Sequence, residues 1–597
     1  MDLKLMAADP TAAERAAVDA LLGPPAGPGN GPAPPRHLLL PSLHALVDAT
    51  GWVSEGGLNY VCRRLGVPPA EAYGVASFYH LLSTVPRAPV VVHACDDIAC
   101  RVAGAGVVVA ALEARLGPAG GTGGVTWIPS PCVGACDGAP AAFVQRAGAE
   151  NATVAPIAGD EARERLLADL DAGTAIEMAR VRMPQVEDGA PGLRLLRRIG
   201  RIDPMSLDDY RAAGGYEALR RAVELGPTGI LREITDSRLL GRGGAAFPAG
   251  RKWAAVAAAP ARPHYLVCNA DESEPGTFKD RALMEEDPFA LVEAMTIAAY
   301  ATGCERGYLY VRGEYPLAAA RLEHAIGACR RHGLLGADVV RAGFDFDVEI
   351  RRGGGAYICG EETALFNSIE GFRGEPRNKP PFPTDKGLFG KPTVVNNVET
   401  LFCVLDIVRE GGPAFAAVGT EGSTGTKLFC VSGNVARPGL YEVPFGVTLG
   451  ELLDLAGGVA GSGRPRAILL GGAAGTFVPP DRLDLPLTFE GAREAGASLG
   501  SGVVMVFDET VDLDDIVLRI AAFFRHESCG QCVPCRVGTV RQEEALERFV
   551  AGEDEMGLLD EIGRAMGDAS ICGLGHTAGL AVRSAIGLGL IGNGGPR

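Results

Sequence analysis

Eight of the fifteen cysteines stand in groups whose spacing suits metal chemistry. Cys95 and Cys100 form C-x4-C, and Cys132 and Cys136 form C-x3-C. Cys529, Cys532 and Cys535 form C-x2-C-x2-C, and Cys572 follows 37 residues later. In a reducing compartment such groups point to metal or redox work before disulfides. The 3+1 set fits a 4Fe–4S cluster, with three thiolates from one loop and the fourth brought back by intervening helices. The 2+2 set suits a 2Fe–2S cluster, two thiolates per iron. Structural zinc is the alternative at both. The remaining cysteines, Cys62, Cys268, Cys304, Cys329, Cys359, Cys403 and Cys430, read as small buried core residues.

Glycine-rich loops supply a second chemistry. "LLGRGGAAFPAGRKW" (239–253) places Gly241, Gly243 and Gly244 beside Arg242, Arg251 and Lys252. Such a loop can bring backbone N–H groups and cations to a phosphate. It is not G-x-G-x-x-G, so a Rossmann fingerprint is excluded. "RRGGGAYICGEETAL" (351–365) runs from three glycines towards a helix. "NADESEPGTFKD" (269–280) follows a strand and gathers Asp271, Glu272 and Glu274. "KPTVVNNVETL" (391–401) adds Asn396 and Asn397. Amides and carboxylates after strands suit ribityl or ribose hydroxyls, a carboxamide or a flavin edge.

The elements that must position these residues follow from the pattern along the chain. Residues 1–35 are an N-terminal segment ending in a Gly/Pro-rich spacer (22–35), and 36–87 a helical bundle. Residues 88–180 alternate strands such as "PVVVHAC" and "AAFVQ" with a helix near 106–115. Residues 181–202 read as a solvated linker with a short basic run. An α/β domain occupies 203–412, a β-grasp-like module 425–510, and a mostly helical cysteine-bearing domain 511–597. The fold class is thus α/β multidomain.

The 597 residues carry a formal charge of −17 at pH 7. That argues against nucleic acid as a partner. There is no basic-apolar leader and no run of about 18 apolar residues. A cytoplasmic protein without direct membrane contact is expected.

The motifs "GRGGAAFPAGRKW", "NADESEPGTFKD", "GAYICGEETAL", "RNKPPFP", "GLFGKPTVVNNVETL" and "ESCGQCVPCRVGT…SICGLG" resemble the flavin-bearing (51-kDa-type) NADH-dehydrogenase subunit of respiratory complex I and its soluble relatives, over 203–597. Residues 36–175, with "CDDIAC" and "PCVGACDGAP", resemble the 24-kDa-type partner subunit with its thioredoxin-like 2Fe–2S domain. The two are fused here. The resemblance implies FMN, NAD(H), one 4Fe–4S and one 2Fe–2S cluster. It places FMN near Gly241, Arg242, Gly243, Gly244, Lys252, Asn269, Asp271, Tyr357, Gly360, Glu361, Asn396, Asn397 and Thr400. NADH falls near Phe247, Glu274, Glu362, Lys379 and Phe382, with Glu274 and Glu362 as orienting and electrostatic residues of the reaction rather than proton carriers. Cys95, Cys100, Cys132 and Cys136 become the 2Fe–2S ligands, and Cys529, Cys532, Cys535 and Cys572 the 4Fe–4S ligands.

One departure stands out. Trp253 is followed by Ala254 and Ala255 where complex I members carry an aromatic, which removes a candidate wall for adenine. "SICGLG" and "IDPMSLDDYRAAGGYEAL" lean towards the soluble relatives. The expectation is the diaphorase subunit of a soluble NAD-dependent formate dehydrogenase, partnered by a molybdenum- or tungsten-bearing subunit. An NAD-reducing hydrogenase subunit, a fused complex I module and a flavin-less iron–sulfur relay are the alternatives.

Overall fold

The structure is a computed structural model, and it describes residues 8–24, 34–461 and 463–592. Most of the 22–35 spacer lies outside the described residues. The bundle begins earlier than residue 36. Thr11 and Glu14 form a reciprocal capping box that starts the helix Ala12–Leu22, which packs on Leu39–Thr50.

Strands β1 (Val90–Cys95), β2 (Val125–Ser130), β3 (Ala142–Arg146) and β4 (Ala152–Val154) form a sheet in the order 2-1-3-4. β1 runs parallel to β2 and antiparallel to β3. Cysteines leave β1 at its end and the loop after β2, so the two pairs meet at one edge of the domain.

The central domain holds β5 (His264–Ala270), β6 (Cys304–Val311), β7 (Asp347–Arg352) and β8 (Thr393–Asn397) in the order 7-6-5-8, all parallel. Parallel sheets bind ligands beyond the carboxyl ends of their strands, where the strand order switches direction. Here that point lies between β5 and β8, which puts the 269–280 loop beside Asn397. The helix Pro288–Thr302 is apolar all round and almost wholly buried under this sheet. β9 (Thr426–Gly433), β10 (Gly439–Pro444), β11 (Pro465–Leu470), β12 (Thr476–Val478) and β13 (Val503–Asp508) form a mixed β-grasp sheet in the order 10-9-13-11-12. The helices Leu513–Glu527, Val533–Val550 and Met556–Ala569 follow.

The 181–202 segment is not a solvated linker. Leu195, Leu196 and Ile199 are buried, and Arg198 forms a buried ion pair with Asp287. Arg194 and Arg197 pair with Asp406, and Glu442 accepts the N–H groups of Arg194, Leu195 and Leu196. The basic run is held by carboxylates remote in sequence. The seven scattered cysteines are all buried. Among the described residues no helix is long and apolar enough to cross a membrane.

Candidate active site and cluster loops

A cavity of about 380 Å³ opens at the β5/β8 switch point. Its walls come from three domains: loops 243–245, 269–280 and 357–361 of the central sheet, loops 471–474 and 498–501 of the β-grasp module, and residues 573–577 of the helical domain. Gly244 has φ +118 and passes close to Gly500, a conformation L side chains rarely adopt.

Around this cavity the polar groups form a connected set. The Asn269 amide donates to the carbonyl of Gly360 at 2.7 Å. Asn397 caps the helix Val398–Glu410 through its carbonyl oxygen and donates to Asp280. Lys279, fully buried, donates to Asp280 at 2.7 Å and to Asn397 at 3.1 Å, and pairs with Glu399 at 3.1 Å. Asp271 keeps one carboxylate oxygen buried without a partner. An orphaned acceptor on a polar cavity fits a ligand that brings hydroxyl donors, as the ribityl chain of FMN does.

Tyr357 Oη donates to Glu274 at 2.5 Å, and Glu274 also accepts the Ala474 N–H at 2.9 Å. Burial pushes the Glu274 carboxyl up to about 7 and Glu527, which accepts the Tyr357 N–H, also up to about 7. Between pH 4.5 and 7 the folded protein therefore holds protons that the unfolded chain has released. Stability falls as pH rises through that window, by about 1.4 kcal/mol per unit for each such group.

Glu361 caps the helix Glu362–Ile369, and Lys379 bridges Glu361 and Glu362 at 2.8 Å each. Burial disfavours the Glu362 carboxylate, but Lys252 and Lys379 outweigh it and hold its pKa below the usual range.

Several expected residues do not line this cavity. The Arg242 guanidinium points into the core, lies over Phe445 and donates to the carbonyls of Thr424 and Thr426. Its backbone N–H is taken by Thr400. Gly241 bonds Phe247 O, and Asn396 accepts the Trp253 indole N–H. Lys252 donates to Val395 O. Glu362 and Lys379 stand outside with Lys252. Phe247 and Phe382 are 47% and 54% exposed, rings open to solvent. Ala254 and Ala255 are exposed too. Lys279, Asp280, Thr277 and Ser501 line the cavity and were not singled out from sequence. The "TFKD" end of the acidic motif carried the signal for three of them, while Ser501 carried none.

Cys95, Cys100, Cys132 and Cys136 are all buried, and the Cys132 and Cys136 sulfurs are 3.3 Å apart. Hydrogen bonds from Cys136 and Cys95 lower the Cys132 thiol well below its ordinary range and raise their own, so the sulfurs share protons among themselves as one close set. Cys532 precedes the helix Val533–Val550 and Cys535 lies in its first turn; Cys572 begins the turn 573–577. Among the described residues no group of three or more His, Cys, Asp or Glu side chains is placed to hold a single metal ion. A 2Fe–2S cluster takes two thiolates per iron and a 4Fe–4S cluster one, so neither gathers three protein donors on a single ion.

Residues 234–406 match the Nuo51 FMN-binding domain, 32–159 the thioredoxin-like [2Fe-2S] ferredoxin, 428–473 the SLBB domain and 515–587 the NADH-ubiquinone oxidoreductase-F iron-sulfur binding region. The chain is 46% identical to an NADH-quinone oxidoreductase subunit of Rhizobium meliloti, over 66% of this chain and 94% of that one. It is 43% identical to the NADP-reducing hydrogenase subunit HndC of Solidesulfovibrio fructosivorans, over 64% and 78%. Among solved structures, a chain of the NAD+-reducing [NiFe]-hydrogenase in its air-oxidized state superimposes with TM-score 0.78 at 35% identity, covering 92% of both chains.

Proposed function

We propose that this chain, which belongs to the FMN-binding NADH-dehydrogenase (51-kDa-type) family and carries a thioredoxin-like 2Fe–2S domain ahead of that part, is the NAD(H)-handling subunit of an NAD-dependent formate dehydrogenase. The observation that carries the diaphorase role is one cavity whose wall includes Gly573 and Leu574, the residues after Cys572. A group held there is one peptide from a cluster ligand. FMN, when bound, supplies the means to take a hydride and release electrons singly.

The residues divide the remaining work. Asn269, Asp271, Lys279 and Asn397 bind the polar tail. The loops 471–474 and 498–501 wall the cavity on its β-grasp side, and Glu274, locked by Tyr357 and Ala474, orients the nucleotide. Electrons leave on the side where Cys529 and Cys532 are half-exposed beside Val533 and Val537, 59% and 47% exposed. Apolar side chains in water beside a cluster suit a docked subunit.

If Glu274 accepts hydrogen bonds from the nucleotide, its carboxylate form is the binding form. The KM for NADH then falls as pH rises through about 7, and Glu274→Gln removes that inflection. An unchanged profile in the variant refutes the assignment.

The formate reading is supported by the four intact cysteines of the first cluster loop, since fused hydrogenase subunits of this family often have that site degraded. A hydrogenase partner is the second reading, favoured by the match over 92% of both chains to the NAD+-reducing [NiFe]-hydrogenase. The discriminating measurement is NAD+ reduction by the native complex with formate against hydrogen. Formate-driven activity supports the first reading, and hydrogen-driven activity alone replaces it with the second.

A further inference from the structure

Arg312 stands where the two halves of the fused chain meet. It follows β6 and is 4% exposed. Its Nη2 donates to the carbonyl of Cys132 at 2.5 Å and its Nη1 to the carbonyl of Glu272 at 2.8 Å. Nε and Nη2 also reach the two carboxylate oxygens of Glu314 at 3.1 and 3.0 Å. One guanidinium thus ties a cysteine of the 95–136 set to a wall of the 269–280 cavity. The contact is close: a Cβ on Gly134, whose φ is +72, would lie 2.2 Å from the Tyr315 hydroxyl. Arg281 donates to the carbonyl of Gly134 at 3.2 Å. From the helical domain, Arg519 donates to the Asp96 carboxylate at 3.0 Å beside the other cysteine pair. Each cysteine loop of the first half is therefore held by arginines of the second.

We propose that Arg312 is a positioning residue that sets the reduction potential of the 2Fe–2S cluster, with Glu314 acting through it in the opposite sense. The inference rests on reading Cys95, Cys100, Cys132 and Cys136 as that cluster's ligands. One-electron reduction adds a negative charge to the cluster. A buried cation bonded to a ligand residue's carbonyl stabilises that charge, because the interior screens poorly. Charge and hydrogen bonding around a cluster are among the factors that set its potential. The Glu314 carboxylate offsets part of this effect.

The test is a redox titration of the full chain followed by electron paramagnetic resonance of the 2Fe–2S signal. In Arg312→Gln the reduced-to-oxidised ratio at fixed poise drops about tenfold, a 59 mV fall for a one-electron couple. In Glu314→Gln the midpoint rises, and Arg312→Lys, which keeps the charge, stays near the parent. A merely structural role would lower cluster content without moving the two midpoints in opposite directions. An unshifted midpoint in Arg312→Gln with the cluster intact overturns the proposal. If Arg312→Gln holds no cluster, Glu314→Gln decides, and an unshifted or lowered midpoint there overturns it. A parent chain with no 2Fe–2S signal would instead strike the ligand assignment beneath it.

Discussion

Cys535→Ser cuts NAD-linked electron exchange with the partner about 100-fold or more, while flavin reduction by NADH stays within about twofold. Cys535 is buried in the first turn of its helix, and burial pushes its thiol up to about 11. Cluster binding must therefore supply the free energy of its ionisation. A serine hydroxyl ionises far less readily and offers a harder donor than the soft thiolate an iron–sulfur cluster takes. On the reading of Cys529, Cys532, Cys535 and Cys572 as ligands, Cys535 is the one to remove, because it does not border the cavity. Cys572 does not separate the two steps, since Gly573 and Leu574 after it are cavity wall. The check is rapid-mixing bleaching of the flavin beside partner-linked turnover and iron content. Loss of bleaching with flavin content and circular dichroism unchanged would mean that Cys535 serves the hydride step, contrary to its placement.

How much of this was legible depended on whether a residue's role is set by its neighbours in sequence or by remote ones. The cysteine groups were readable because ligand number and short spacing are local constraints. The α/β character of the central domain and the β-grasp module were readable because strand and turn signals are local too, whereas the parallel order of the central sheet was not read. Arg242 shows the opposite case. A cation between glycines suggests a phosphate, yet carbonyls of Thr424 and Thr426, some 180 residues on, take it into the core. The run 193–198 looked solvated because Asp287, Asp406 and Glu442 lie far along the chain. Phe247 and Phe382 carried the expectation of a stacked nucleotide, but both rings lie outside the cavity. The β-grasp contribution to the cavity was invisible. Ser501 pairs with Thr277 hydroxyl to hydroxyl at 2.8 Å, and neither residue type marks a site alone.

Lys279→Met weakens flavin retention on the order of 100-fold and destabilises the central domain by about 3–5 kcal/mol. Lys279 is fully buried against Asp280 and Glu399, with Asn397 as a third partner. Removing it leaves Asp280 without the ammonium that pairs with it, in a site that water does not reach. Glu399 is better protected, because Lys427 stands 3.6 Å away and Arg242 4.0 Å. In the parent, burial lowers the Lys427 pKa to about 8 with the Lys279 charge as a further cause, so removing Lys279 relieves part of that lowering. Lys427 therefore keeps its charge to higher pH in Lys279→Met than in the parent, and Glu399 stays paired. Adding Asp280→Asn to Lys279→Met recovers part of the loss, since the uncompensated charge goes with its partner. Flavin dissociation measured for the single and double variants checks both the loss and its partial recovery. If the double variant is as defective as the sum of its singles, Lys279 and Asp280 do not act as a pair, and the lysine's role at the cavity is steric.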